Sequence, residues 1–291
     1  DVGGNLKVAS FNVLNYFTTI DTGAFICGPA EDQECRGADT PEELTRQRDK
    51  IIAALITINA DVVGLIEIEN HPGDVPTADL VAGLNDVLGA GTYAYIATGA
   101  IGTDAIRQAL IYKPASVTPF SAYAILDSTV DPRFLDGYNR PVLAQAFQDK
   151  ATGGIFTVAV NHLKSKGSDC NAIGDPDLGD GAGNCNVTRK AAAEALVDWL
   201  ASDPTGSGDP DALIMLAAGA MLAAGLLVFI SVVKELPITF LLSPTGHTTL
   251  SMAVFSRTSE GMMAEAAPYA LMIVIFSSLF VGLILRHEGR S

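Results

Sequence analysis

The chain has 291 residues, a formal net charge of −15 and a hydrophobic content of 48%. This length suits one large domain or two smaller ones. The acidity argues against a protein that grips nucleic acid through a broad basic surface, because such binding needs clustered lysine and arginine. A local metal site could still process nucleic acid, and the alternative meaning of the acidity is a solvated surface.

The charge is unevenly distributed along the chain. Residues 1–211 contain 14 basic and 29 acidic side chains, whereas residues 212–291 contain 4 of each. All of the net charge therefore lies in the first part, and most of the excess hydrophobicity lies in the second. This asymmetry indicates two modules, which we place at 1–215 and 216–291.

Strands and helices are predicted in mixed order through the first part. Residues 6–13 form a first strand that delivers Asn12, and Thr40 before Pro41 is a typical start for a helix over 40–59. A strand over 61–68 carries Glu67, and a helix follows over 78–88. Further strands are expected over 93–98, 108–113, 122–126, 142–147 and 155–162. This mixture predicts a mixed-sheet α/β sandwich.

The last predicted elements are helical and then apolar. Residues 188–201 have an amphipathic helical pattern, and residues 212–215 begin like another central strand. However, residues 212–233 carry no charge over 22 positions, and a second uncharged run covers 266–285. Runs of this length predict two transmembrane helices in a lipid bilayer. The alternative is a pair of buried helices in a soluble core.

Four cysteines lie in two loops of the first part, at Cys27, Cys35, Cys170 and Cys185. Two loop-closing disulfides, between Cys27 and Cys35 and between Cys170 and Cys185, are the simplest of the three possible pairings. Zinc is disfavoured because the spacings are long and no histidine is near either pair. Disulfides would imply an oxidising compartment.

Glu67 stands near the end of a hydrophobic strand. An ionised carboxylate at such a place is costly unless a positive group meets it. A hard divalent cation such as Mg²⁺ or Ca²⁺ is one candidate, because it prefers oxygen ligands. The alternative is an exposed strand end paired with lysine or arginine.

Four sequence pieces follow one another in the first part. They are Ser-Phe-Asn-Val at 10–13, Leu-Ile-Glu-Ile-Glu-Asn at 65–70, Tyr-Asn-Arg-Pro at 138–141 and Val-Asn-His-Leu-Lys-Ser-Lys at 160–166. In this order they resemble the endonuclease/exonuclease/phosphatase superfamily, whose fold is that of pancreatic deoxyribonuclease, and most of all its secreted bacterial nucleases. The resemblance covers about residues 5–215. It implies a deoxyribonuclease-like α/β sandwich in an extracellular or periplasmic location.

The resemblance also implies a chemistry, the metal-dependent cleavage of DNA or RNA phosphodiesters. Glu67 would bind Mg²⁺ or Mn²⁺, and Asn12 would sit beside it as a metal or phosphate contact. His162 would hydrogen-bond the scissile phosphate or act as an acid, and Arg140 would be a charge partner. The alternatives are a strand-end Asn12 that satisfies the backbone and a His162 that belongs to the core.

Acidic residues in the second cysteine loop form a separate candidate site. Asp175, Asp177 and Asp180, with Asn184, could offer oxygen ligands to Ca²⁺, although the spacing is not that of an EF-hand. The alternative is a polar loop tied by the disulfide.

The resemblance breaks after 211–215. The family continues this strand into Gly-Asp-x-Asn and later carries Ser-Asp-His, whereas here Leu-Ala-Ala-Gly follows at 216–219. Losing several members of a catalytic unit removes nearly all of its rate advantage, so we expect an incomplete and inactive nuclease. We also expect a truncated sandwich with an uncovered apolar face, because part of the second sheet would be missing.

The second part has its own resemblance. The pieces at 226–229, 234–239, 244–246 and 264–268 are similar to the last two membrane helices of ferric-iron ATP-binding-cassette permeases, which would imply the inner membrane and an ATPase subunit as partner. Arg286 and Arg290 after the second run would then be cytoplasmic, which conflicts with a secreted nuclease. The sequence therefore predicts a chimaera joined near Met215. A permease fragment and a membrane-tethered module that binds nucleic acid without cutting are the alternative functions.

Overall fold

The computed structural model describes residues 4–217, which belong to one unit that extends from Asp1 to Ala218. Within these residues three α-helices form, α1 (Pro41–Ile58), α2 (Val75–Leu88) and α3 (Asn186–Ala201), together with one short 3-10 helix at Asn171–Ile173. The strands are β1 (Val8–Tyr16), β2 (Phe25–Cys27), β3 (Gln33–Glu34), β4 (Val62–Glu69), β5 (Ala94–Tyr95), β6 (Ile106–Tyr112), β7 (Val117–Leu126), β8 (Arg140–Asp149), β9 (Ile155–His162) and β10 (Leu213–Ala217).

Two four-stranded mixed sheets form the body of the unit. The first has the order β1-β4-β6-β5, and the second has the order β10-β9-β8-β7. Each contains one parallel pair, β1 with β4 and β10 with β9, and is otherwise antiparallel. The predicted mixed-sheet α/β sandwich is therefore confirmed. The small β2–β3 hairpin was not predicted.

Alternation along the strands sends successive side chains to opposite faces of the two sheets. In β4, Val63 and Leu65 pack with α1 and α2, whereas Val62 and Ile66 face the second sheet. On the second sheet, Val158 and Val160 face inward and Ala159 packs with α3. The layers are thus helices, sheet, sheet and helix.

Gly64 sets how closely the two sheets approach. A Cβ atom at this position would lie 2.6 Å from Leu216 Cδ1 and 2.8 Å from Val160 Cγ2. Real Cβ contacts of that length do not occur without movement of the neighbours. The close approach of β4 to β9 and β10 therefore depends on the missing side chain.

The start of α1 follows the predicted cap. The Thr40 hydroxyl accepts a hydrogen bond from the Glu43 backbone N–H at 3.2 Å, and Pro41 occupies the first turn. The helix ends at Asn59, whose φ of 50° places it in the left-handed region that terminates helices.

Residues 213–217 form β10 and pair with 157–161 of β9. This confirms the central strand predicted to begin over 212–215, and the membrane helix predicted over 212–233 does not begin there. The second sheet packs against the first with Leu216 in the shared core. The uncovered apolar face stays a prediction, because the chain beyond β10 lies outside the described residues. Within residues 4–217, no helix is both long and apolar enough to cross a membrane. The rest of the predicted helix over 212–233, and the helix over 266–285, lie outside the described residues.

Candidate functional site

Glu67 lies at a bulge in β4. Ile66 is opposite Gln108 and Ile68 is opposite Arg107, so Glu67 has no partner of its own on β6. Its φ of 66° is in the left-handed region, which a glutamate adopts only where the surrounding structure holds it. A bulge of this kind re-aims a side chain. The Glu67 carboxylate thereby leaves the regular alternation and reaches the end of the second sheet.

His162 is the group that Glu67 meets there. It is the last residue of β9, and its Nε2 lies 3.7 Å from Glu67 Oε1. This separation is longer than a hydrogen bond. The His162 side chain is only 13% exposed, and its Nδ1 is buried without a hydrogen-bond partner among the described residues. The pair joins the ends of the two sheets at one cleft.

Burial keeps the His162 imidazole neutral. Loss of solvation, followed by the nearby Arg140 guanidinium, lowers the pKa of His162 from 6.5 to about 4, although Glu67 and Asp104 oppose the shift. At neutral pH the contact with Glu67 is therefore not an ion pair. A neutral imidazole can donate one hydrogen bond and accept another. Before a ligand binds, it is poorly suited to be a general acid at neutral pH.

Arg140 is opposite His162 in the β8–β9 ladder. Its guanidinium forms an ion pair with Asp104, with Nη2 2.9 Å from Oδ2, and the Arg36 guanidinium donates a hydrogen bond to Asp104 Oδ1 at 3.0 Å. The Arg140 side chain is 13% exposed, and its Nε is buried without a partner among the described residues. Asp104 thus holds two guanidinium groups together beside the imidazole.

The loop that carries Asp104 is fixed by buried hydrogen bonds. The Asn70 amide donates to the backbone oxygens of Ile101 and Asp104, both at 2.8 Å, and accepts from the Ile101 N–H at 3.0 Å. From the other side, the Gln33 amide donates to the Thr103 oxygen at 2.6 Å. Asn70 lies three residues after Glu67, so the same strand end supports both sides of the cleft.

Asp104 and Arg36 were not predicted as site residues. Asp104 lies in a Gly-Thr-Asp-Ala stretch with no motif, and Arg36 lies just after the disulfide-bonded Cys35. The one signal in the sequence was that Arg140 needed a carboxylate partner. Many acidic residues could have supplied it, and only the fold selects one.

Asn12 lies next to β4 but is engaged locally. It pairs with Ile66 in the β1–β4 ladder, and its Oδ1 accepts a hydrogen bond from the Leu14 N–H at 2.7 Å. Leu14 and Asn15 both have positive φ, and the β1–β4 register shifts after Asn12. Asn12 thus caps an irregular turn of β1, in agreement with the alternative interpretation that its side chain satisfies the backbone at the strand end. Its exposed amide also lines a groove beside the cleft.

Lys164 adds a third cation to the cleft. Burial lowers the pKa of Lys164, and Arg140 lowers it further. Its Nζ lies 5.9 Å from the centroid of the Tyr138 ring. The cleft thus combines three cations, Arg36, Arg140 and Lys164, with two carboxylates, Asp104 and Glu67. The cleft is positive by one charge in a chain whose net charge is −15.

The described residues offer a small ligand set for a metal ion. Residues 4–217 contain no group of three or more histidine, cysteine, aspartate or glutamate side chains arranged to hold one. Asp104 is engaged by two guanidinium groups, so Glu67 is the carboxylate left for a cation. Mg²⁺ is often held by one or two carboxylates, with waters and substrate phosphates completing its shell. A Mg²⁺ or Mn²⁺ ion at Glu67 would therefore depend on waters and a substrate phosphate for most of its ligands.

Both predicted disulfides form. Cys27 joins Cys35, and Cys170 joins Cys185. In the second loop, Asp175 accepts hydrogen bonds from the Thr188 N–H and hydroxyl, both at 2.8 Å, and so supports the start of α3.

The other two acidic residues of this loop are also used locally. Asp177 accepts from the Gly179 N–H at 2.8 Å, and Asp180 accepts from the Ala182 N–H at 2.9 Å. The three carboxylates thus serve separate turns of the described loop. Calcium binding here stays a prediction.

Comparison with known proteins gives one curated relative and several solved structures. No family model matches the chain. An Fe(3+)-transport system permease protein of Haemophilus influenzae, FbpB 2, is 46% identical over 65 residues, which are 22% of this chain and 13% of the permease. The chain thus matches a small fraction of that protein.

Three solved structures give partial superpositions. An endonuclease/exonuclease/phosphatase family protein from Bacteroides thetaiotaomicron gives a TM-score of 0.45 at 14% identity, covering 73% of this chain and 62% of that one. A humanized D. rerio TDP2 gives 0.41 at 14%, covering 75% and 65%. A mannosyl-6-phosphatase from B. thetaiotaomicron VPI-5482 gives 0.41 at 15%, covering 69% and 61%. The chain spans less than two thirds of each, so the fold described above rests on its own strands and helices.

Proposed function

We propose that residues 4–217 form the phosphate-binding part of a nuclease-type phosphodiesterase of the endonuclease/exonuclease/phosphatase kind. The observation that carries this is the cleft itself, where Glu67, His162 and the Arg140–Asp104–Arg36 cluster meet at the ends of both sheets. Guanidinium groups bind phosphate oxygens with matched geometry. A positive cleft in a strongly acidic chain attracts an anionic group such as a phosphate to this one place on the surface.

Each residue has a distinct part in holding the phosphate. Arg140 supplies positive charge, and Asp104 fixes the direction of its guanidinium. The neutral His162 donates a hydrogen bond from one ring nitrogen to a phosphate oxygen, which would use its buried, unpartnered Nδ1 or the Nε2 that faces Glu67. A bound phosphate would raise the pKa of His162 because an anion stabilises the imidazolium.

Glu67 would hold the metal ion, with Asn12 beside it only if the Asn12 amide leaves its own turn. A divalent cation at this place would neutralise phosphoryl charge and lower the pKa of a bound water. The pairing of Mg²⁺ or Mn²⁺ with Glu67 remains part of this proposal, as does DNA or RNA as the partner.

The chain is proposed to bind phosphodiesters without turning them over. After β10 the sequence lacks Gly-Asp-x-Asn, and its 291 residues contain no Ser-Asp-His. By the resemblance, these motifs supply the groups that activate the attacking water. Partial catalytic units retain little of the rate advantage of the whole. Arg140, His162 and Glu67 would therefore bind and orient the phosphate but would not complete the reaction.

The test is binding of a labelled oligonucleotide to the purified full chain at low salt with Mg²⁺. Arg140→Gln is expected to weaken binding roughly tenfold, the value of one charge-assisted phosphate contact. Arg133→Gln is the matched control, because Arg133 is an exposed arginine paired with Asp131 and Asp198. Equal binding by the wild type, Arg140→Gln and Arg133→Gln would overturn the proposal.

A permease component is the second candidate, favoured by the short match to the Haemophilus influenzae permease. It would require the chain to associate with an ATPase subunit and to sit in the inner membrane. Co-purification with such a subunit would support it. The two disulfides favour an oxidising location for residues 4–217 instead, and cysteine alkylation before and after reduction in cell fractions would test that location.

A further inference from the structure

A second groove lies beside the candidate site, between the end of β1 and the first half of α1. It encloses about 460 Å³. Its lining includes one carboxylate, three cations and two apolar side chains: Phe11, Leu14, Arg36, Glu43, Arg46 and Lys50.

Two of the three cations in this groove, Arg46 and Lys50, are available for a ligand, because Arg36 is paired with Asp104. Arg46 and Lys50 are exposed and form no ion pair within residues 4–217. They are four residues apart on α1, so they project from the same face about 6 Å apart along the helix axis. Glu43 is occupied by a hydrogen bond from the Asp39 N–H at 3.2 Å. The groove therefore offers a row of positive charge, although the chain as a whole is acidic.

The floor of the groove presents a fixed apolar surface. Leu14 is 75% exposed and has a φ of 56°, a strained conformation for leucine. Two hydrogen bonds hold it there, from its own N–H to Asn12 Oδ1 and from the Gln47 amide to its oxygen at 2.9 Å. An exposed leucine whose backbone is held in this way presents apolar surface for contact with a base or sugar.

The groove is continuous with the candidate site. Arg36 lines the groove and also donates to Asp104, the partner of Arg140. Asn12 lines the groove and is the ladder neighbour of Ile66, next to Glu67. A ligand with several phosphates could therefore reach from Arg140 past Arg36 to Arg46 and Lys50. A phosphomonoester would fill the cleft alone.

We propose that this groove binds the phosphate backbone of a polynucleotide strand, so that the ligand of the cleft is a polymer rather than a small phosphate ester. The proposal rests on the proposed function of the cleft and extends it. Arg46 and Lys50 contact phosphates beyond the one at Arg140, and Leu14 contacts the sugar or base between them. Base-tolerant binding of single strands typically combines a positive track with aromatic surface, and here the aliphatic side chain of Leu14 would supply apolar contact without stacking.

The experiment measures fluorescence anisotropy of a labelled oligothymidylate of about twelve nucleotides, a length typical of single-strand sites, against the full chain across a salt series. The double variant Arg46→Gln/Lys50→Gln should bind roughly tenfold more weakly, and its log–log salt slope should be shallower by about 1.4. Lys150→Gln/Lys190→Gln is the control, because it makes the same charge change at exposed sites after β8 and on α3. Its binding should equal that of the wild type.

The outcomes distinguish the groove proposal from the cleft proposal on which it rests. If the two double variants bind alike while Arg140→Gln still weakens binding, the groove proposal is wrong and the cleft proposal stands. If Arg140→Gln has no effect, the cleft proposal fails first. As a second readout, thymidine monophosphate should bind the groove variant as well as the wild type, and weaker binding of the monophosphate would contradict the assignment of Arg46 and Lys50 to distant phosphates.

Discussion

Replacing Gly64 with alanine tests the packing of the two sheets where the chain was expected to leave the sandwich. The added methyl would lie 2.6 Å from Leu216 Cδ1 and 2.8 Å from Val160 Cγ2. Overpacking of this kind destabilises a protein by about 1–3 kcal/mol. Alanine in place of a strand glycine stabilises it by roughly 0.5–1 kcal/mol, because alanine loses less conformational entropy on folding. The steric cost is larger, so Gly64→Ala should lower the free energy of unfolding by about 1–2 kcal/mol.

Urea unfolding followed by the fluorescence of the single tryptophan would measure this loss. Trp199 packs against the α3 core and lies away from the substitution. The matched control is Gly137→Ala, because a Cβ at Gly137 meets nothing within 4 Å. That control should change the free energy of unfolding by less than about 0.5 kcal/mol.

A double-mutant cycle identifies the group that clashes. In a Leu216→Ala background the nearer contact of the new methyl is gone, so Gly64→Ala should cost about 1 kcal/mol less than in the wild type. If Gly64→Ala costs no more than Gly137→Ala in either background, Leu216 does not pack against β4. The placement of 213–217 as a strand of the sandwich would then be refuted.

Three further predictions concern charged and polar groups. The pKa of His162 falls to about 4 in the folded chain, so the unfolded chain binds more protons between about pH 6.5 and 4. Up to about 3 kcal/mol of the free energy of unfolding should therefore be lost as the pH falls through this window. His162→Gln should flatten this part of the stability profile. Arg140→Gln should raise the pKa of His162 measured by proton NMR, because the guanidinium disfavours the imidazolium. Glu67→Gln should lower this pKa, because the carboxylate favours the imidazolium. A shift in the opposite sense in either variant would contradict the charge arrangement of the cleft. Asp175→Ala should lower the free energy of unfolding by about 1–2 kcal/mol, because it removes the hydrogen bonds at the start of α3. Asp175→Asn keeps an acceptor for Thr188 and should lower it less. Equal losses in the two variants would contradict this role of Asp175.

Much of the fold follows from local pattern. Strand β9 at Ile155–His162 was predicted with its observed bounds, and the start of α1 follows from Thr40 and Pro41. The short spacing of each cysteine pair also favoured the disulfides that form. In each case the signal is contained within a few neighbouring residues.

The failures come from information that is not local. The uncharged run that begins at 212 has helical length, and apolar periodicity alone does not separate a buried strand from a helix. Leu213–Ala217 becomes a strand because β9 supplies a parallel partner. The β2–β3 hairpin is short and has no apolar alternation, so it gave no strand signal.

Part of the candidate site could be predicted from local sequence, and part depends on contacts between distant residues. The four sequence pieces bring Glu67, His162 and Arg140 to one cleft. Asp104, however, is selected by a loop that Asn70 and Gln33 hold in place. The bulge that turns Glu67 toward His162 is likewise a product of sheet pairing rather than of its own residue type.

The measurement that tests the central claim most directly is Mg²⁺-dependent nicking of a supercoiled plasmid by the full chain, run beside oligonucleotide binding on the same preparation. Binding that Arg140→Gln weakens, together with nicking no faster than the background, is the predicted result. Nicking above background that Glu67→Ala abolishes would contradict it, because this chain would then possess a complete catalytic unit.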